Sequence, residues 1–510
     1  MRSNHLVVLA LLALPRFSTA GDVTEQYLKA FTIGLEELDR GNMEPALDDL
    51  SRAFELAPQA AYLPRRLVDH GLRDSLISRA RLEADPVSRP GVVALLAAIE
   101  PDVAMRLEHR RQLAAQFPEN VHYHVWQGVA ALRQSLSVHD RQEEMEIEAV
   151  DSFVRAIKLQ PADDRGYEGL VVWVPGRGTL YQRYSERVPA ALHQVLRAFH
   201  ALHCALRRQA PEDPKSAGSV HDLIDSSRSY LAEVPAVQAQ FVAGLLEIHV
   251  GNPREAVARM AQVESAGAPS FLTEFVKARA AMDLGQDEQA HGILSQLAGA
   301  YVEPGILHNL AVSAHRLGRL PEARRRYREA LTLNPTLVPS IHNLAVLDHP
   351  TDPQGARALV ASGLNTTPQQ KDLEGLFGWM LMEAGQSLEA RLHLERACQR
   401  PDRDRASAYA LARLTLAEGQ IEEVRKLLTS LIMEEPLNST YQGLYRQAQT
   451  TFIERARARA SDGEVEQARE MLEEVLHDSM TDLPLQTLVT QALSRIATAS
   501  PARLRSSLAP

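Results

Sequence analysis

The chain is 510 residues long, 45% hydrophobic but only 5% aromatic, and carries a formal net charge of −10. That acidic balance argues against nucleic acid as a partner, because phosphate binding needs a clustered basic face. Its two cysteines, Cys204 and Cys398, lie far apart, which argues against a disulfide-stapled scaffold, and no C-x-x-C-H is present to attach haem covalently.

The first twenty residues, MRSNHLVVLALLALPRFSTA, place one Arg and one His before an apolar core at 6–14 and end in Ser18, Thr19 and Ala20. This is the anatomy of an export signal cleaved after Ala20. The apolar core is too short for a spanning helix, which needs about 20 residues. The expectation is therefore an exported chain, periplasmic first and secreted second, with no membrane span.

Residues 21–58 read as two amphipathic helices. Ala30, Ile33 and Gly34 lie on the first, Gly41 marks the turn, Ala46, Leu50, Ala53 and Leu56 lie on the second, and Pro58 ends it. Residues 59–118 keep helical stripes but are broken by prolines and read as degenerate units. A clearer pair returns at 121–161, with His124, Gly128 and Ala131 on one helix and Ala149, Phe153 and Ala156 on the next. The stretch SLSVHDRQEEMEIE between them predicts an extended loop or a helix that overruns by about two turns.

Residues 162–218 are the least regular. They hold VVWVPGRGTLYQRYSERV, a helix from about 189 to 209, and the polar break APEDPKSAGS, which is a candidate hinge. His193, His200 and Cys204 share one face of that helix at i, i+7 and i+11, residue types able to hold a soft metal. Only His200 with His203 or Cys204 has the i, i+3 or i+4 spacing metal sites normally use, so no metal ligand is assigned.

From 219 to 484 the pattern is periodic. Small residues recur at Ala256, Ala290, Ala323, Ala356, Ala390, Val424 and Ala468, at spacings of 34, 33, 33, 34, 34 and 44 by subtraction. Turn glycines keep step at Gly251, Gly285, Gly318, Gly385, Gly419 and Gly463, with Asp352 filling the gap. A large apolar residue follows each small one by four positions: Met260, Leu294, Tyr327, Val360, Leu394, Leu428 and Leu472. Beyond them, 485–496 reads as a terminal helix striped by Leu488, Val489, Ala492 and Ile496, and the chain from 497 onward reads as disordered.

Residues 304–335, PGILHNLAVSAHRLGRLPEARRRYREALTLNP, carry the pattern most completely and resemble the tetratricopeptide repeat, a helix–turn–helix unit of 34 residues. Leu307 stands at the unit's tryptophan position, Leu310 and Ala311 at its Leu-Gly pair, Ala323 at its alanine, Tyr327 at its aromatic and Pro335 at its closing proline. The resemblance implies an all-α, right-handed solenoid. Its parts are an N-terminal set of repeats at 21–161, an irregular segment and hinge at 162–218, a regular array at 219–484 and a capping helix with a tail at 485–510.

In that family the first helix of each repeat lines a concave groove. Carried over residue by residue, the inward positions are His308, Asn309, Val312 and His315, then His342, Asn343, Val346 and His349, then Gly375, Leu376, Trp379 and Met382. The repeated His-Asn-Leu-Ala at 308–311 and 342–345 offers two amides able to hold the backbone of an extended peptide. The family's lysine-rich carboxylate clamp is not evident. The implied function is a non-enzymatic scaffold of the cell envelope that binds segments of partner proteins around His308, Asn309, Val312, His315, His342, Asn343, Val346 and Trp379. An accessory subunit of an envelope export or assembly machine, and a metal- or ligand-handling protein using 162–216, are the alternatives. No catalytic motif and no cofactor site is found: Gly176-Arg177-Gly178 lacks the spacing of a phosphate loop, and neither G-x-S-x-G nor H-E-x-x-H occurs. Histidines lining such a groove would make affinity sensitive to pH between about 5 and 8.

Overall fold

The computed structural model describes residues 23–57, 70–136, 141–174, 178–207, 231, 237–268, 270–368, 370–399, 404–478 and 483–506. The stretch expected to be an export signal, the polar break after 207 and the extreme C-terminus therefore lie outside the described residues. By its contacts the chain divides into two units, the first ending at Leu344 and the second starting at Ala345.

The first unit begins with the pair α1 (Val23–Asp39) and α2 (Met43–Leu56), followed by α3 (Arg73–Glu83), α4 (Pro90–Ile99) and α5 (Val103–Gln116). The next pair is α6 (Val121–Ser135) and α7 (Gln142–Leu159), then come α8 (Asp164–Val171), the single-turn α9 (Leu180–Arg183) and α10 (His193–Arg207). Three regular pairs follow: α11 (Val237–His249) with α12 (Pro253–Ser265), α13 (Phe271–Asp283) with α14 (Asp287–Ala300), and α15 (Pro304–Arg316) with α16 (Leu320–Leu333). The dividing line runs through α17 (Val338–Asp348). The second unit continues with α18 (Pro353–Thr366), α19 (Lys371–Glu383) and α20 (Ser387–Cys398), α21 (Arg405–Ala417) and α22 (Ile421–Glu434), α23 (Ser439–Ser461) and α24 (Val465–Asp478), and α25 (Leu483–Ser506). The architecture is all-α, successive helix pairs in chain order. Among the described residues the one exception is a two-residue hairpin in the irregular segment, where Trp173 faces Thr179 and Val174 faces Gly178.

The turns form where the sequence places them. Gly41, Gly251, Gly285, Gly318, Gly385, Gly419 and Gly463 all have φ between 73° and 98°, a region other residues enter only at a steric cost. Asp352 closes its turn differently. With φ of −139° it caps α18, its side chain accepting from the Gly355 N–H. The large apolar series Met260, Leu294, Tyr327, Val360, Leu394, Leu428 and Leu472 is buried throughout, as are Ala256, Ala290, Ala323, Ala356, Ala390, Val424 and Ala468.

Of the two readings of the connection after α6, the overrunning helix is the one observed: α7 begins at Gln142 and runs 18 residues. One expectation changes in detail. The C-terminal helix does not stop near 496 but runs to Ser506. Alanines at 497, 499 and 502 favour helix, and the helix continues past Pro501, which has no N–H to give its ladder. Its buried stripe is Leu485, Val489, Ala492 and Ile496, packed on Phe452, Ile453, Leu472 and Val475. Leu488, expected in that stripe, is 38% exposed.

Candidate functional site

Helix α15 was expected to offer one face to a ligand, yet every residue from Pro304 to Ala314 is buried. His308 is 3% exposed; its Nδ1 lies 2.9 Å from the Ser340 hydroxyl and its ring 5.7 Å from that of Tyr327. Burial, with a smaller push from the Arg279 charge, lowers its pKa to about 4, so the ring is neutral. Asn309 donates from Nδ2 to the Gly305 carbonyl of its own helix at 2.7 Å. Val312 is 8% exposed. His308, Asn309 and Val312 therefore serve the core, and of the four expected positions on α15 only His315 keeps partial exposure.

The neighbours explain this. Helix α15 packs between α14 and α16, and the N-terminal helix α1 reaches both of these flanking helices. The Thr24 hydroxyl sits 2.5 Å from the Ala298 carbonyl and 3.0 Å from that of Tyr301. The first repeat thus meets repeats more than 270 residues along the chain. A repeat-by-repeat reading, in which each unit touches only its neighbours, has no signal for such a return.

The second His-Asn pair is less enclosed. His342 and Asn343 are both half-buried, with His342 Nδ1 3.4 Å from Asn343 Oδ1. In the second unit Val346 is 42% exposed. Trp379 on α19 is half-buried and packs on His349, ring centroids 4.9 Å apart at 57°. Leu376 is buried, and Gly375 lies so close to α21 that a Cβ there would meet the Ser407 hydroxyl at 1.9 Å. Those two positions build the α19–α21 contact. One repeat beyond Trp379, Arg413 is exposed.

The irregular segment does not gather its histidines around a centre. His193 Nε2 lies 3.1 Å from the Val188 carbonyl, and His200 packs edge-on against Tyr181 at 6.4 Å. Burial lowers the pKa of His200. Among the described residues no three His, Cys, Asp or Glu side chains come together in a way that would hold a metal ion, and neither cysteine is in a disulfide.

A buried polar network at the start of α8 was not read from the sequence, where Asp163, Asp164 and Arg165 follow Pro161 like an ordinary helix cap. Asp163 does cap α8, accepting from the Arg165 N–H, and its carboxylate also takes Arg165 Nε at 2.9 Å and Nη2 at 2.6 Å. Arg165 Nη1 donates to His122 Nδ1 at 2.6 Å, so that nitrogen carries no proton. All four of His122, Asp163, Asp164 and Arg165 are at most 4% exposed. Burial, then the Glu168 and Asp163 charges, raise the pKa of Asp164 well above the usual carboxyl range. Between α6 and α7 lies an open groove lined by His124, Gln127, Glu144, Glu148, Asp151 and Arg155. Its central carboxylate is already engaged: Glu148 receives Arg111 at 2.8 and 2.6 Å and Gln127 at 2.8 Å.

Residues 304–337 and 381–448 match models of the tetratricopeptide repeat. No curated protein matches the chain. Among solved structures, yeast Tom70 is similar with a TM-score of 0.39 at 11% identity, over 94% of this chain and 96% of that one. The Cut9–Hcn1 hetero-tetramer of the APC/C is similar with a TM-score of 0.38 at 12% identity, over 92% and 96%. A thermophilic TPR protein of Thermus thermophilus is similar with a TM-score of 0.27 at 16% identity, over 42% and 98%.

Proposed function

We infer that the chain, two stretches of which match the tetratricopeptide repeat, is a protein–protein interaction scaffold, working in the cell envelope, and that partner segments dock on the first-helix face of its second unit. The observation that carries this reading is Trp379. A tryptophan resting on His349 and still half-exposed, with the exposed Val346 in the same unit, is an apolar anchor of the kind that dominates interface energies. Successive first helices α19, α21 and α23 adjoin one another, so the face continues past Trp379 to the exposed Arg413. An extended segment fits a continuous surface of this kind, and such a surface suits protein contacts better than an enclosed pocket would. Support for an envelope location is the apolar core at 6–14 followed by Ser18, Thr19 and Ala20.

The test is capture from an envelope extract of the native host with wild type and Trp379→Ala as baits, both checked for equal helicity. Loss of an anchor typically costs 2 kcal/mol or more. A partner held there should be recovered at least about tenfold less well with the variant, at roughly 1.4 kcal/mol per tenfold. Equal recovery of every partner by both baits would remove this face from consideration.

A further inference from the structure

The turn from α7 into α8 is fastened to a helix start 108 residues further along the chain. Ser270 caps α13 by accepting from the Thr273 N–H at 3.2 Å, and its hydroxyl donates to the Ala162 carbonyl at 2.8 Å. Between the two segments lies a cavity of about 10 Å³, lined by Ala162, Asp163 and Asp164 on one side and by Ser270, Phe271 and Leu272 on the other. That is room for about one water molecule. Asp164 is 2% exposed, and its Oδ2 is buried with no hydrogen-bond partner. A carboxylate so placed would give up its hydration and gain no bond in return, whereas an un-ionised acid loses far less.

The surrounding groups do not reverse that balance. The cation that bears on Asp164 is Arg165, whose Nε and Nη2 are taken by Asp163 at 2.9 and 2.6 Å and whose Nη1 is taken by His122 at 2.6 Å. Glu168, one turn on in α8, and Asp163 both oppose ionisation. On α6, His122 is neutral, because burial and the Arg165 charge hold its pKa well below the usual histidine value. At the end of α7 the uncharged Gln160 lines the cavity. From α10, Phe199 packs on Tyr167 of α8, and Arg183 of α9 turns to Glu146 at 3.2 Å. The N-termini of α8 and α13, with partial charges of about +0.5 that would favour an anion, give Oδ2 no hydrogen bond.

We propose that Asp164 is a proton-binding site that couples the joint between α8 and α13 to pH, holding a proton while the joint is closed and releasing it when the joint opens to water. Its pKa, raised well above the usual carboxyl range by burial and then by the Glu168 and Asp163 charges, agrees with that placement. In an opened joint the acid titrates near 3.9. From about pH 4 up to the raised value, the closed joint therefore keeps a proton that the open one has lost. Closure is favoured most at the acid end of that window and weakens as the pH rises, by up to about tenfold per pH unit for a single proton. The joint lies within the first unit and is independent of the Trp379 face.

The test is hydrogen exchange of the full chain at pH 5 and pH 7, corrected for the intrinsic pH dependence of amide exchange. In wild type the amides of 164–171 and 271–275 should open at least tenfold more often at pH 7 than at pH 5. Asp164→Asn, which puts a neutral amide of the same shape in place of the acid, should open equally often at both. Asp164→Ala, a second variant in case the amide is not accommodated, should do the same. Opening in wild type that does not change with pH, or a pH dependence that persists in whichever variant folds, would overturn the assignment. So would protection at pH 7 that rises with sodium or potassium but not with choline at equal ionic strength, because the cavity would then hold a cation beside an ionised carboxylate.

Discussion

At the scale of single residues, His308 shows how burial replaces one role with another. Placed in a groove it would change charge near neutrality; placed against Ser340 and Tyr327 it stays neutral, with its pKa pushed down to about 4. An unfolded histidine titrates near 6.5. Between roughly 6.5 and 4 the unfolded chain therefore binds a proton that the folded chain refuses. This contribution to stability is complete above about pH 6.5 and drains away as the pH falls toward 4, at about 1.4 kcal/mol per unit. Urea unfolding at pH 7.5 and pH 5 should show wild type losing about 2 kcal/mol more than His308→Gln over that interval. Equal losses would mean that His308 titrates as an exposed histidine does.

At the scale of the element, the helix pairs are held close by one small residue facing one large one. A Cβ added at Gly34 would meet Leu50 Cγ at 2.7 Å, one at Gly244 would meet Met260 Cε at 2.4 Å, and one at Gly378 would meet Leu394 Cγ at 2.7 Å and the Leu394 backbone nitrogen at 3.0 Å. Alanine is the better helix former by up to about 1 kcal/mol, so two effects oppose each other at Gly378. The clash should prevail, because a backbone nitrogen cannot swing aside as a side-chain terminus can. Gly378→Ala is expected to lower stability by about 1–3 kcal/mol through overpacking. Gly443→Ala, in α23 where an added Cβ meets nothing within 4 Å, is expected to raise it by up to about 1 kcal/mol. Thermal melts of the two variants moving in the same direction would contradict this account of the crossing.

For the molecule as a whole, the contact that departs most from a chain of neighbour-only repeats is the one α1 makes with α14 and α16. Its polar anchor is the buried Thr24 hydroxyl, 2.5 and 3.0 Å from the Ala298 and Tyr301 carbonyls. Thr24→Val keeps the shape and leaves both carbonyls without that donor, a change worth about 1–3 kcal/mol. If the contact ties the first unit together, hydrogen exchange should quicken both in α1 and around residues 298–301 in this variant. Faster exchange confined to α1 would show that the contact only restrains a terminal helix.

Helix periodicity, turn glycines and the alternation of small with large apolar residues were enough to determine the repeat class and the turn positions. They also identified the buried series from Ala256 to Leu472. All of these depend on spacings of a few residues within one helix or one turn, which a sequence displays directly. Whether a helix face meets solvent or protein depends on elements brought together from afar. Asn309 and Asn343 sit in identical His-Asn-Leu-Ala tetrapeptides, yet Asn309 is 6% exposed and bonded to its own helix while Asn343 keeps partial exposure. Tertiary structure alone decided this, because burial is a property of packed neighbours, and these neighbours come from different helices.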